Sequence, residues 1–234
     1  MRWTLKHIQG IAVTAKSYRL CRGETKRSTA SQGRIMKVKS CMQRNLVIIG
    51  KDALLQEAGA LMKKHSIRHL PVVEDAQLVG FITESDLRQY SFPAQEKNIH
   101  VREVMVLNPI TVNINASIEK AARLIHDYKI GGLPVLDKKK LVGIITAIDL
   151  LSAFINMMGL LRDSSRLDVL VGKDGGVEGV TRIIKEHGCE IISVATESHS
   201  SRRKLYCFRL EKGELDKAIE ALEDAGHKVV SVVD

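Results

Sequence analysis

At 234 residues with 44% hydrophobic content, the chain has the material for one large or two to three small packed domains, which argues against a disordered protein. Its longest apolar stretch, Leu150 to Leu161, falls short of the roughly 20 residues that a bilayer-spanning helix requires, so no transmembrane segment is read. The net charge of +9 would suit a polyanion partner if it covered a folded face, but eight basic residues and one acidic residue lie in 1–35, leaving the body nearly balanced.

Residues 1–35 are rich in Ser, Thr and Arg, lack apolar periodicity and carry the only tryptophan, Trp3. This composition reads as a disordered tail, or as the product of a start codon placed too far upstream. The other readings are a targeting peptide or an arm that contacts nucleic acid; the balanced body otherwise suits a cytoplasmic protein without a nucleic-acid or membrane partner. Cys21, Cys41, Cys189 and Cys207 form no CxxC pair and no metal-type spacing with histidine, so no metal ligands are assigned. No HExxH, GxSxG or phosphate-binding glycine loop occurs, and no catalytic residue is assigned; the chain is expected not to be an enzyme.

From Met36 onward the sequence repeats itself. Val38–Arg88 aligns with Val101–Leu151 at an offset of 63 without gaps, with 17 identities in 51 positions. Each copy begins with a short strand, Val47–Ile49 or Ile110–Val112. A helix follows whose stripe Leu55, Ala58, Leu61 and Met62 matches Ile118, Ala121, Leu124 and Ile125, a spacing that buries one face. Asp52 and Asn115 are the predicted N-caps of these helices. Leu70–Val73 and Leu133–Leu136 form the next strands, the polar turns Glu74-Asp75-Ala76 and Asp137-Lys138-Lys139 follow, and Leu78–Ile82 and Leu141–Ile145 return. Lys138, Lys139 and Lys140 read as a solvated turn, and Met42 and Met105 as core filling.

A second helix closes each copy, and both begin with Thr-x-x-Asp: Thr83 with Asp86, and Thr146 with Asp149. Two readings are open. In the first, the Thr hydroxyl takes an amide of the first turn and the Asp carboxylate reaches back, which is a capping box. In the second, the helix N-terminus and the Thr hydroxyl donate to a phosphate while the carboxylate accepts from ribose hydroxyls. Ile67-Arg68-His69-Leu70 and Ile130-Gly131-Gly132-Leu133 run beside these motifs as candidate walls of an apolar slot, with Gly131 and Gly132 permitting close backbone approach. Arg68 and His69, which replace the two glycines in the first copy, either contact phosphate or rim the cleft.

These features resemble a tandem CBS-domain pair, the Bateman module. The Leu-Pro-Val-Val, Leu-Val-Gly-aliphatic-aliphatic-Thr and Asp-Leu patterns recur in register over about half the chain. The resemblance implies a disc-like pair whose clefts hold AMP, ADP, ATP or, in some members, S-adenosylmethionine. It implies a non-catalytic sensor of adenosine nucleotides, a homodimer, and an unidentified regulated protein. The nucleotide-binding positions it implies are Thr146, Asp149, Thr111, Ile130, Gly131, Gly132, Leu133 and Pro134 of the second copy, and Thr83, Asp86, Arg68 and His69 of the first. Asn108-Pro109-Ile110-Thr111 matches the family pattern where Asn45-Leu46-Val47-Ile48 lacks both Pro and Thr, which makes the second cleft the better site.

Beyond these copies, Leu167–Val171, a helix over Val177–His187, strands Cys189–Thr196 and Lys204–Leu210, a helix over Glu214–Ala225 and the strand Lys228–Val233 spell βαββαβ, the split ferredoxin-like arrangement. This part resembles an ACT domain, which implies an amino-acid site near Gly175 and Gly176. The predicted fold class is thus α/β (α+β): a tail over 1–35, CBS domains over 36–98 and 99–161, and an ACT-like domain over 164–234. That order resembles the AcuB-type grouping linked to acetoin utilisation.

Overall fold

The computed structural model of the protein describes residues 36–90, 98–172, 176–200 and 203–233; the predicted tail lies outside the described residues. The chain divides after Leu150 into two compact units. Among the described residues no helix is long and apolar enough to cross a membrane.

The first unit holds the two repeats up to Leu150, which lies within the closing helix of the second. The first comprises β1 (Ile49–Gly50), α1 (Leu55–His65), β2 (His69–Glu74), β3 (Gln77–Thr83) and α2 (Glu84–Arg88). After β4 (Val106–Leu107), the second comprises β5 (Val112–Asn113), α3 (Ile118–Tyr128), β6 (Gly132–Asp137), β7 (Lys140–Thr146) and α4 (Ala147–Met158). In each, the first strand runs parallel to the second, at Ile49↔Val72 and Val112↔Val135, and the second pairs antiparallel with the third. Ala58 and Met62, four positions apart on α1, bury against Leu70, Val72 and Ile82, as their helical spacing requires.

The predicted caps are corrected. Both helices begin two residues later than caps at Asp52 and Asn115 would place them. The Asp52 carboxylate is instead paired with Arg102, and Leu54, which precedes α1, has no side-chain acceptor. The Leu55 amide donates to the Ile99 carbonyl at 2.8 Å, so the other repeat's leading segment satisfies this helix end. In α3 the cap is Ser117, whose hydroxyl accepts from the Lys120 amide at 3.2 Å.

The segments that lead into the repeats are crossed. Gln43, ahead of the first repeat, pairs with Ile144 of β7, while β4, ahead of the second, pairs with β3 at Val106↔Phe81. Val38 donates to the Ala116 carbonyl and Val101 to the Ala53 carbonyl, both at 2.9 Å, and both valines are completely buried. Each pair of contacts maps onto the other by the offset of 63. The crossing also explains a repeated glycine: a Cβ at Gly80 would lie 2.4 Å from Met105 Sδ, and one at Gly143 2.7 Å from Met42 Sδ. The two methionines are packing residues, each seated on the strand of the other repeat.

The second unit contains β8 (Ser164–Leu170), α5 (Gly176–Glu186), β9 (Ile191–Ser200), β10 (Arg203–Glu211), α6 (Asp216–Asp224) and β11 (Lys228–Val233). Its antiparallel sheet has the order β11-β8-β10-β9, the predicted βαββαβ arrangement. Leu167, Val169 and Phe208 from the sheet meet Val180, Ile184 and Leu222 from the helices in one core. Cross-strand pairing between β9 and β10 extends to Arg203↔Ser200, within the segment predicted as a turn over Glu197–Arg203.

Candidate functional site

Thr83 and Thr146 are the last residues of β3 and β7, where the chain leaves the sheet for a helix. The Asp86 carboxylate accepts from both the amide and the hydroxyl of Thr83 through one oxygen, Oδ2, at 2.7 Å each. The Asp86 amide returns a bond to Thr83 Oγ1 at 3.4 Å. The second repeat has the same arrangement: Asp149 Oδ2 takes the Thr146 amide at 2.8 Å and its hydroxyl at 2.7 Å, and the Asp149 amide reaches Thr146 Oγ1 at 3.3 Å. Both motifs are therefore capping boxes.

This geometry restricts what a ligand can use. Each Thr hydroxyl gives its single proton to the adjacent carboxylate, so it would reach a phosphate only by exchanging that bond. The first helical amides are engaged as well, Glu84 N with the Arg68 carbonyl and Ala147 N with the Gly131 carbonyl, both at 3.0 Å. What the boxes leave for a ligand is the other carboxylate oxygen, Oδ1, and here the repeats differ. Gln43 Nε2 donates to Asp149 Oδ1 at 2.8 Å, whereas Asp86 Oδ1 accepts no bond among the described residues. Sequence reasoning missed Gln43; the available signal was that Val106 occupies the matching position beside the repeated Met.

His69 opens β2 and reaches across to the second repeat. A Cβ at Gly131 would lie 2.6 Å from His69 Nε2, and one at Gly132 3.6 Å from the ring. The imidazole thus lies against the face that Gly131 and Gly132 present, while Gly131 itself remains exposed. The ring stacks on Phe81 with centroids 5.8 Å apart. Burial, with the Arg68 charge beside it, pushes the His69 pKa below its ordinary value, against the opposing pull of Asp149 and Asp86. A neutral imidazole therefore stands within electrostatic reach of both carboxylates.

The remaining predicted residues divide between wall and core. Leu133 and Pro134 lie buried in β6. The Ile130 amide closes α3 by donating to the Ile125 carbonyl at 3.2 Å, and Thr111 is half-buried one residue before β5. In the second unit, Gly175 lies outside the described residues, and Gly176 begins α5 with φ +57°. Among the described residues no cluster of His, Cys, Asp and Glu could hold a metal ion.

The family model for the CBS domain matches this chain twice, over residues 38–92 and 101–156. The CBS domain-containing protein YhcV of Bacillus subtilis is 33% identical over 114 residues, 48% of this chain and 81% of YhcV. The chain belongs to the CBS-domain family. The CBS pair also matches part of larger chains, such as an inosine-5′-monophosphate dehydrogenase of Korarchaeum cryptofilum, 30% identical over 49% of this chain and 24% of the enzyme. Among solved structures, a CBS domain pair in complex with 5′-methylthioadenosine and S-adenosyl-L-methionine is 31% identical, covers 53% of this chain and 98% of its own, and has a TM-score of 0.49. The acetoin utilization protein AcuB of Vibrio cholerae is 32% identical over 54% of this chain and 96% of its own, with a TM-score of 0.49.

Proposed function

We propose that the CBS pair is a non-catalytic sensor of an adenosine nucleotide of the AMP, ADP or ATP class, with S-adenosylmethionine as a further candidate. The observation that carries this reading is the pair of matched carboxylates. Asp86 and Asp149 are each fixed through one oxygen by a capping box, which orients the other oxygen as an acceptor for ribose hydroxyls. His69 and Arg68 are the polar groups beside them that would meet the phosphates. None of these residues has the nucleophile-and-base pairing that turnover would require. Binding would act on the crossed leading segments, which hold the two repeats together, and so signal to a regulated protein; this requires the nucleotide to prefer one arrangement of the pair.

The C-terminal unit is read as ACT-like, with an amino acid bound near Gly175 and Gly176. The whole protein is read as a cytoplasmic homodimer, a state that sedimentation analysis measures directly.

A thermal-melt screen with AMP, ADP, ATP and S-adenosylmethionine tests the sensor reading. Ligand at 100 times its Kd adds about 2.7 kcal/mol, a shift of roughly 5 °C or more for a protein of this size. The shift should disappear in the double variant Asp86→Ala/Asp149→Ala. A shift that survives in the double variant, or no shift with any of the four compounds, would reject the proposed site.

A further inference from the structure

We propose that Gln43 is an internal competitor for the ribose-binding oxygen of Asp149, so that the two clefts of the CBS pair are unequal and the Asp86 cleft takes nucleotide first. This inference rests on the nucleotide reading above and adds an order of occupancy to it.

A carboxylate bound to two donors through one oxygen has only the other oxygen to offer a new partner in the same orientation. For Asp86 that oxygen accepts from no described residue, whereas for Asp149 it accepts from Gln43 Nε2 at 2.8 Å. A carboxamide N–H and a ribose O–H are both neutral donors, and they compete for the same lone pairs. Nucleotide entering the second cleft must therefore displace Gln43 and exchange one charge-assisted hydrogen bond for another. Entry into the first cleft requires no such exchange.

The asymmetry is encoded at a single position of the repeat. Gln43 and Val106 are related by the offset of 63, and their backbones make the matching pairings, Gln43↔Ile144 and Val106↔Phe81. The backbone thus brings both side chains to equivalent places, and only Gln43 can donate. Gln43 is anchored from both sides, since its amide and carbonyl bond to Ile144 at 2.8 and 3.0 Å. Its side chain is therefore held near Asp149 by a fixed backbone. The order of filling that follows is the reverse of the one suggested by Asn108-Pro109-Ile110-Thr111.

Isothermal titration of the full chain with AMP tests the inference. Asp86→Ala isolates the second cleft and Asp149→Ala the first. In the Asp86→Ala background, Gln43→Val should tighten AMP binding about three- to tenfold, equivalent to losing a competing bond of modest strength. In the Asp149→Ala background, the mirror change Val106→Gln should weaken AMP binding by a similar factor. It alters a half-exposed side chain and provides a second test if Gln43→Val fails to fold. Unchanged or weaker binding in Gln43→Val, or unchanged binding in Val106→Gln, would overturn the competitor role while leaving the sensor reading intact. Absence of AMP binding in the wild-type chain would remove both.

Discussion

At the scale of single residues, the structure separates groups whose sequence neighbourhoods look alike. His69 replaces a glycine of the other repeat, and sequence alone left it between phosphate contact and cleft rim. Its partner across the pair, Gly131, is 62 positions away, so their contact was not visible in local pattern. Its depressed pKa has a signed consequence. Between the ordinary imidazole value of 6.5 and the lower folded value, the unfolded chain binds a proton that the folded chain does not. The stability from this group is complete above about pH 6.5 and is lost as pH falls below it. Urea denaturation at pH 7.5 and at pH 5.5 should show a smaller acid loss in His69→Gln than in the wild type; equal losses would contradict the account.

Asp168 behaves in the opposite way within the second unit. It is 6% exposed, and burial alone would raise its pKa. Bonds from Arg166 Nε and Ser231 Oγ, both at 2.8 Å, together with Cys207, outweigh burial and hold the carboxyl below its usual range. Asp168→Ala should therefore cost about 2 kcal/mol, the order expected for losing hydrogen bonds to a charged group. Chemical denaturation followed by a probe in the C-terminal unit would measure it, and a loss within error would show that the cluster adds nothing to stability.

At the scale of elements, what was legible follows the range of the interactions. The repeat, the helical stripes and the order βαββαβ are local patterns, and each appears where its period predicts. Helix starts were misplaced because Asp52 and Asn115 are strong capping residues, while the observed ends are met by Ser117 and, for α1, by a carbonyl from the other repeat. The crossing of the leading segments is non-local, although the glycines and methionines repeated in register were its trace. It predicts a graded cost. A Cβ at Gly143 meets the Gln43 carbonyl at 2.9 Å besides Met42, whereas at Gly80 all three nearest atoms belong to the flexible Met105 side chain. Gly143→Ala should thus destabilise by about 1–3 kcal/mol and Gly80→Ala by less, as read from denaturation midpoints; the reverse order would contradict the crossing.

The hairpin turns lie where the polar triplets place them, between β2 and β3 and between β6 and β7. Asp75-Ala76 and Lys138-Lys139 turn with φ of +47° and +63°, and +45° and +70°, which are left-handed conformations that favour glycine. Ala76→Gly should raise stability by about 1 kcal/mol, visible as a higher denaturation midpoint, and a lower midpoint would contradict the assigned turn.

At the scale of the whole molecule, the CBS pair is a duplicated unit whose two copies have diverged at the position that controls access to the carboxylate. The residues that define the candidate site come from both copies: Thr83 and Asp86 from the first, Thr146 and Asp149 from the second, with His69 and Gln43 crossing between them. A sensor assembled in this way would couple ligand binding to the contact between repeats, because the groups proposed to meet the ligand also join the repeats. A nucleic-acid role for the charge of the N-terminal 35 residues would appear as binding that weakens steeply with salt and is lost on truncation.

The most direct test is a crystal structure of the full chain with AMP. The account predicts the nucleotide in a cleft of the CBS pair, with ribose hydroxyls on Asp86 Oδ1 and the phosphate beside Arg68 and His69. AMP bound elsewhere, or clefts still empty at saturating AMP, would contradict it.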